Sequence, residues 1–375
     1  MPVSRSIGLL VAVLAAAVFG SGCAIGGTAA VDPPTAPSSA ELASNPLPEP
    51  GRTWSRGAVD RLMDLYDRRT GLWSGIKWWS SANALTSLID YMSVTHDHRY
   101  EWVVARTFHQ ARSVRGGNFT NGYLDDTGWW ALAWIRAYDL THRQRYLRMA
   151  QTDVDYMWSH HDGVCGGGVW WSTREKYKNA ITNELFIKAA AEIHNRVPDD
   201  RSYLRRALTT WRWFKQSGMI DAEHLVNDGL DTASCTNNHQ TAWSYNQGVI
   251  LGALVDLSRA TNRPGYLREA TVLADASTEA DSLHVNGVLT ESCESTDCGN
   301  DGPSFKGIYV RNLGELAQAT SSASYRQYLR RHAQVAHDHD RTSGDEYGIH
   351  WTGPPGPVNG ATQQSAVDLL VAALV

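Results

Sequence analysis

A short aromatic-basic signature recurs along this chain and limits what it can fold into. Tyr146-Leu147-Arg148, Tyr203-Leu204-Arg205, Tyr266-Leu267-Arg268 and Tyr328-Leu329-Arg330 follow one another at intervals of about sixty residues, and Tyr100-Glu101-Trp102 holds a similar place earlier. Each is expected to open an amphipathic helix just after a polar turn, such as Thr141-His142-Arg143 or Pro198-Asp199-Asp200. Between them lie more apolar, small-residue-rich stretches at 81–91, 126–140, 180–195, 241–260, 304–320 and 362–374. A first stretch at 57–67 brings the total to about twelve helices in six pairs. The Tyr-Leu-Arg members carry Arg, Gln, Asp and Thr on one side, as a surface helix does, and the others read as helices buried between neighbours. Six outer-inner hairpins predict an all-α fold, a closed α/α toroid with its mouth lined by the loops entering the inner helices. An open solenoid is the alternative. Closure is favoured because the last helix, with Gln363, Gln364 and Asp368, lacks the polar outer face of a cap.

Proline supports this division. Pro33, Pro34, Pro37, Pro46, Pro48 and Pro50 crowd a stretch rich in Ala, Ser and Thr, which reads as an extended tether over 23–52. Beyond it, Pro198, Pro264 and Pro303 fall where helices begin. The helical domain is therefore placed at 53–375. Ahead of the tether, Arg5 and the apolar run 7–20 have the size of a signal-peptide core and are too short to span a bilayer. The run ends in Gly20-Ser21-Gly22-Cys23, similar to a bacterial lipobox except for Gly20 at the usual Leu position, so 1–22 is taken as a leader and Cys23 as a lipid attachment point. The expected location is exported, either as a cell-surface lipoprotein or secreted, and monomeric. Four cysteines remain in this oxidising setting. Cys293 and Cys298 can close a short loop, leaving Cys165 with Cys235, and the absence of a Cys-x-x-Cys pair speaks against zinc.

Charge and aromatic content narrow the function. With 34 basic and 39 acidic side chains the net charge is −5, which excludes a protein built to grip a phosphate backbone. The chain has 15 Trp and 15 Tyr against 6 Phe. A core needing only bulk would use Phe, whereas Trp and Tyr join a flat apolar face to a polar edge and suit stacking on sugar rings.

The motif with chemical content is Tyr123-Leu124-Asp125-Asp126-Thr127-Gly128-Trp129-Trp130. Ala133, Trp134 and Ala137 continue at helical spacing, so a helix starts near Asp126 at the mouth end of an inner helix. One aspartate serves as an N-cap in the plain structural reading. Two carboxylates framed by Tyr and Trp-Trp have a further use, because glycoside hydrolysis needs two carboxyl groups across one bond, about 5–5.5 Å apart for a nucleophile and an acid/base. Neighbours on a regular helix point about 100° apart, but at a loop-helix junction both side chains can reach one sugar, and that short reach favours the retaining arrangement. The helix N-terminus favours an anion, and mutual repulsion raises one of the two pKa values.

Six blocks resemble glycoside hydrolase family 76, the endo-α-1,6-mannanases: Lys77-Trp78-Trp79-Ser80-Ser81-Ala82-Asn83, 123–130, Gly166-Gly167-Gly168-Val169-Trp170-Trp171, 177–185 from Tyr177 to Leu185, Trp243-Ser244-Tyr245-Asn246-Gln247-Gly248, and Phe305-Lys306-Gly307-Ile308-Tyr309-Val310-Arg311. The resemblance runs from about residue 55 to the C-terminus. It implies an (α/α)6 barrel, a retaining mechanism with Asp125 as nucleophile and Asp126 as general acid/base, an α-1,6-linked mannan or mannose-containing glycan as partner, and no metal or organic cofactor. More loosely, Asp228 is expected on mannose hydroxyls, although an Asp before Gly also makes a turn. Trp129, Trp171 and Tyr245 are candidate stacking platforms, and Asn83, Asn246, Gln247, Lys306 and Arg311 candidate hydroxyl ligands; core packing competes for each. Gly166-Gly167-Gly168 permits close backbone approach to a ligand but lacks the following Gly-Lys-Ser/Thr of a phosphate loop. His96-Asp97-His98 and His337-Asp338-His339-Asp340 are read as surface turns after helices. Rival readings are another α/α-barrel sugar enzyme, either a transglycosidase or an unsaturated uronyl hydrolase, and a mannan-binding surface protein without catalysis.

Overall fold

The structure is a computed structural model that describes residues 50–112 and 117–375. The expected leader, Cys23 with its expected lipid and nearly all of the expected tether lie outside the described residues. Twelve α-helices are found among those described: α1 (Pro50–Asp64), α2 (Trp78–Thr95), α3 (Glu101–Gln110), α4 (Leu124–Thr141), α5 (Gln144–Trp158), α6 (Ala180–His194), α7 (Ser202–Gln216), α8 (Ser244–Thr261), α9 (Gly265–Glu279), α10 (Phe305–Thr320), α11 (Ala323–His339) and α12 (Gly360–Ala372). The even-numbered helices pack side by side in the order α2, α4, α6, α8, α10, α12, and α12 returns to pack on α2. That last contact closes the ring, so the fold is an (α/α)6 barrel and the open solenoid is excluded. No helix among the described residues is long and apolar enough to cross a membrane.

Small residues let the inner helices meet closely. A Cβ on Gly248 of α8 would lie 2.5 Å from the Tyr309 Cα of α10, and one on Gly307 of α10 would lie 2.4 Å from the Ser365 Cα of α12. The outer helices lock through the repeated tyrosine. Tyr100 donates its hydroxyl to Asp60 at 2.8 Å, Tyr203 to Asp155 at 3.2 Å and Tyr325 to Asp275 at 2.6 Å, each aspartate lying on an outer helix one pair earlier in the chain. In the last repeat the first-turn tyrosine is therefore Tyr325, and the Tyr-Leu-Arg signature sits one turn deeper, where the Tyr328 hydroxyl meets His284 Nε2 at 2.8 Å. Helix α1 begins at Pro50, inside the segment read as tether, because proline is tolerated in a first turn where no backbone donor is needed. Pro198 lies in the turn before α7 rather than at its start, which is set by Asp200 accepting from the backbone N–H groups of Ser202 and Tyr203.

Short strands and two disulfides tie down the loops. Strands β1 (Tyr66–Asp67) and β2 (Leu72–Trp73) form one hairpin, β3 (Lys178–Asn179), β4 (Gly229–Asp231) and β5 (Thr236–Asn237) a three-stranded sheet, and β6 (His284–Val285) and β7 (Val288–Leu289) another hairpin. Cys165 is bonded to Cys235 and Cys293 to Cys298, as expected.

Deep on the barrel axis the inner helices turn charged side chains towards one another. Lys188 donates to Asp256 at 2.9 Å and to Glu315 at 2.6 Å, and lies 3.4 Å from Glu192. Arg136 pairs with Asp90, Glu192 and Glu315, and Arg311 pairs with Asp368 at 3.2 Å. Gln363, Gln364 and Asp368 are all buried: Gln363 donates to the Ala58 and Asp345 carbonyls, and Gln364 to Asp368. The polar face of α12 is thus consumed internally, which is why it presents no cap.

Candidate active site

At the opposite end of the inner helices from the axial ion pairs lies a cavity of about 600 Å³. Its wall is built from the N-terminal turns of five inner helices, with Trp78 and Trp79 from α2, Asp125, Asp126 and Trp129 from α4, Asn179 capping α6, Tyr245 from α8 and Phe305 from α10. Five helix N-termini converging on one cleft favour negative charge there. Four carboxylates and one ammonium line it: Asp125, Asp126, Asp228, Asp301 and Lys77.

The acidic pair opens α4 after Tyr123, whose backbone is extended at φ −110°. The Trp170-Trp171 segment is stitched to this helix start, since Leu124 donates its backbone N–H to the Trp171 carbonyl at 2.7 Å and Tyr123 bridges to Ser172. Trp171 thereby reaches Asp125, donating Nε1–H to Oδ2 at 2.9 Å, while the Asp126 backbone N–H serves Oδ1 at 3.0 Å. Asp126 Oδ2 accepts from Asn121 Nδ2 at 2.6 Å. Burial, and then the charge of Asp126, push the Asp125 carboxyl well above the usual carboxylate range, and the two N–H donors pull the other way. Carboxyls this close titrate as a pair, so Asp125 does not ionise independently of Asp126.

Asp228 faces the same cavity. It immediately precedes β4, whose first residue Gly229 pairs with Asn179, and its carbonyl accepts from the Ala180 N–H at 2.8 Å, so β4 is fastened to the start of α6. Tyr177 donates its hydroxyl to Asp228 and in turn accepts from Asn238 at 3.0 Å. Burial raises the Asp228 carboxyl, while Tyr177 and Asn246 hold it down. Tyr245 stacks on Phe305 with ring centres 4.0 Å apart, and its phenol is pushed well up by burial and then by Asp228 and Asp125. It stays neutral and keeps a donor in the cleft.

Of the residues expected from sequence, Asp125, Asp126, Trp129, Trp171, Asp228 and Tyr245 line the cavity together. Asn83, Asn246, Gln247, Lys306 and Arg311 do not. Arg311 donates to Asn83 Oδ1 at 2.6 Å within the axial network. Gln247 grips both backbone groups of Val226, at 2.7 Å each, and so holds the segment leading to Asp228. Asn246 is wholly buried beneath Asp228. Lys306 is buried and bonded to Glu294 at 2.7 Å and to the Ile349 carbonyl at 2.6 Å. These five hold the scaffold and do not line the cavity. Trp129 is 3 % exposed and stacked against Trp79, so it offers an edge more than a platform.

The glycine run also differs from expectation. A Cβ on Gly168 would lie 2.3 Å from the Trp213 indole, so the close approach serves a core tryptophan and not a ligand. Lys178 fills this loop, donating to Asp162 at 2.8 Å, the Val164 carbonyl at 2.7 Å and the Gly167 carbonyl at 2.5 Å. His96 is the left-handed cap of α2, and Asp97 caps the turn that follows. The second histidine motif lies in the last turn of α11, where His337 stacks on Trp54 at 3.8 Å. Residues missed by the sequence reading are Asn121, Tyr177, Asn179, Asp301 and Lys77. Tyr177, Asn179 and Lys77 belong to recognisable blocks, whereas nothing local marks Asn121 or Asp301.

The family model of glycosyl hydrolase family 76 matches residues 55–375. The chain belongs to that family. It is 26 % identical over 278 residues to the mannan endo-1,6-alpha-mannosidase DCW1 of Candida glabrata, covering 68 % of this chain and 61 % of that protein. A second relative, the mannan endo-1,6-alpha-mannosidase DFG5 of Candida albicans, is 25 % identical over 271 residues, covering 64 % of this chain and 58 % of its own length. The chain thus spans about three fifths of these curated relatives. Among solved structures, the GH76A alpha-1,6-mannanase of Salegentibacter sp. HEL1_6 superposes with a TM-score of 0.79 at 26 % identity, covering 86 % of this chain and 98 % of that one. An inactive double Asp-to-Asn variant of that mannanase, in complex with alpha-1,6-mannotriose, superposes at 0.78 and 26 % identity.

Proposed function

We propose that this family 76 protein is an exported, lipid-tethered, monomeric endo-glycosidase that cuts internal α-1,6-mannosidic bonds with retention of configuration. The observation that carries the reading is the acidic pair itself: two adjacent carboxyl groups at a helix N-terminus, both lining the same cleft and each already given a different hydrogen-bond environment. N–H donors serve only an acceptor oxygen. Both oxygens of Asp125 are served in this way, which opposes the upward push of burial and of the Asp126 charge; with the proton of the pair on Asp126, Asp125 is the anion and the nucleophile. Its lone pair would attack the anomeric carbon as the bond to the leaving oxygen breaks, and Asp126 would deliver its proton to that oxygen. A water then enters, gives a proton to Asp126 and attacks the same carbon, releasing Asp125 and a product of the original configuration. Asp228 and the neutral Tyr245 phenol would hold the hydroxyls of the reacting mannose, and Trp171 and Tyr123 would flank it. The similarity to mannan endo-1,6-alpha-mannosidases and an alpha-1,6-mannanase supports the substrate class.

The test is incubation with linear and branched α-1,6-mannans, following new reducing ends and the anomeric form of the first product by NMR. Internal cleavage with initial α-anomer is expected. Initial β-anomer would remove the double displacement, and intact linear mannan would remove the substrate class.

A further inference from the structure

One charged pair of the cleft has no part in the chemistry above. Lys77 precedes α2 in extended conformation, and its ammonium reaches Asp301, 224 positions along the chain, at 2.5 Å. The other Asp301 oxygen accepts from Trp79 Nε1 at 2.8 Å, and Trp79 stacks on Trp129 of the helix that carries the acidic pair. Asp301 lies three residues beyond the disulfide between Cys293 and Cys298, and Gly302 after it packs directly on that disulfide. Both charged side chains are a little under half exposed and both line the cavity. An ordinary surface pair of this exposure is worth little to stability. This one is held by an indole donor on one side and, through Gly302, a segment packed on a disulfide on the other, and so stands pre-organised beside the cleft.

We propose that Lys77 and Asp301 form a sugar subsite next to the one at Asp125 and Asp126, clamping neighbouring hydroxyls of a further mannosyl unit. This rests on the mannan reading given above. In an α-1,6-linked chain every internal unit uses its first and sixth positions for linkage and leaves three adjacent secondary hydroxyls free. A side-by-side ammonium and carboxylate match two of these, the ammonium donating to one oxygen and the carboxylate accepting from the next hydroxyl. A branch on either hydroxyl removes its role, so the subsite selects an unbranched unit.

The test compares Lys77→Met and Asp301→Asn with wild type on linear α-1,6-mannooligosaccharides from three to six units, taking kcat/KM for each length. Among the described residues the Lys77 side chain bonds only to Asp301, and its carbonyl, which accepts from the Ser81 N–H at 3.1 Å, is kept on replacement, so the fold stays intact, and equal melting midpoints verify this. The expected result is a ratio of long-chain to short-chain kcat/KM lowered about five- to tenfold in Lys77→Met, the size of one charge-assisted hydrogen bond at a wet site. A parallel drop in the ratio is expected for Asp301→Asn. A loss equal at every length, or none, overturns the subsite while leaving the mannanase reading in place. No cleavage of any length by wild type overturns both.

Discussion

Replacing Trp171 by Phe removes one hydrogen bond and little else, because the ring and its contact with Tyr123 are kept. The bond lost is Nε1–H to Asp125 Oδ2 at 2.9 Å, a donor that favours the ionised carboxylate. A hydrogen bond to a charged group is worth about 1.5–3 kcal/mol; at ~2 kcal/mol the Asp125 pKa rises by about 1.5 units. If Asp125 is the nucleophile, it must be ionised in the free enzyme, so the acid limb of the kcat/KM profile moves to higher pH by that amount. On the acid side, activity then falls about 30-fold, and on the plateau far less, since a more basic nucleophile is also a better one. The assay is release of reducing ends from linear α-1,6-mannan across pH 3–9, about the range that brackets a carboxylate pair. If the basic limb moves up instead, Asp125 is the proton donor and the two roles exchange. Two unmoved limbs refute the claim that Trp171 tunes the pair at all.

The roles can also be assigned by chemical rescue: with azide, Asp126→Ala should yield an azide product of retained configuration and Asp125→Ala one of inverted configuration, and the opposite pattern would falsify the assignment. Lys188→Met strips the ammonium from Asp256, Glu315 and Glu192 and should cost about 3–5 kcal/mol by denaturant unfolding; a loss under 1 kcal/mol means the axial charges rearrange freely. His332 is held neutral by burial, with its pKa lowered to about 3, as Nε2 accepts from the Leu289 N–H at 3.0 Å. The unfolded chain takes up the proton near pH 6.5, so this group's contribution is complete above that value and is lost at about 1.4 kcal/mol per unit as pH falls towards 3. His332→Gln should flatten that part of the stability profile relative to wild type, and parallel profiles would show that His332 is not the group titrating.

The barrel was legible because its two helix classes differ in kind. Small, apolar inner helices and amphipathic outer ones alternate at a period that survives all the variation in loop length. The Tyr of the repeat was visible without its reason: it reaches across to an aspartate of an earlier outer helix, a contact between segments about fifty residues apart at Tyr203 and Tyr325 and forty at Tyr100. The same periodicity misled at the edges. Pro50 starts a helix because a first turn needs no donor, while Tyr328 matches the signature one turn too deep because Tyr325 already fills its place.

The acidic pair was legible for a local reason, since a loop-to-helix junction fixes both side chains within two residues. The polar residues of the inner helices were not, because sequence gives their face and hides their depth. Arg311 lies six residues beyond Phe305, about 9 Å further along the helix at 1.5 Å per residue, and Asn83 five beyond Trp78, about 7.5 Å. Both belong to the axial network and neither lines the cavity. Counting residues from the mouth would have set Arg311 and Asn83 apart from the groups at the helix starts, but not Asn246 and Gln247, which lie in the first turn of α8 without lining the cavity, nor Trp129, which lines it from five residues beyond Leu124. Lys306 escapes the count as well, because it lies in the first turn yet points sideways to Glu294. Its position depends on a loop that comes from elsewhere in the chain. The same holds for Asp301, which reaches the cleft only because a distant loop folds over Trp79. In this architecture the starts of the inner helices supply the acidic pair and most of the cavity wall, and the connections between helices add Asp228 and Asp301 to it.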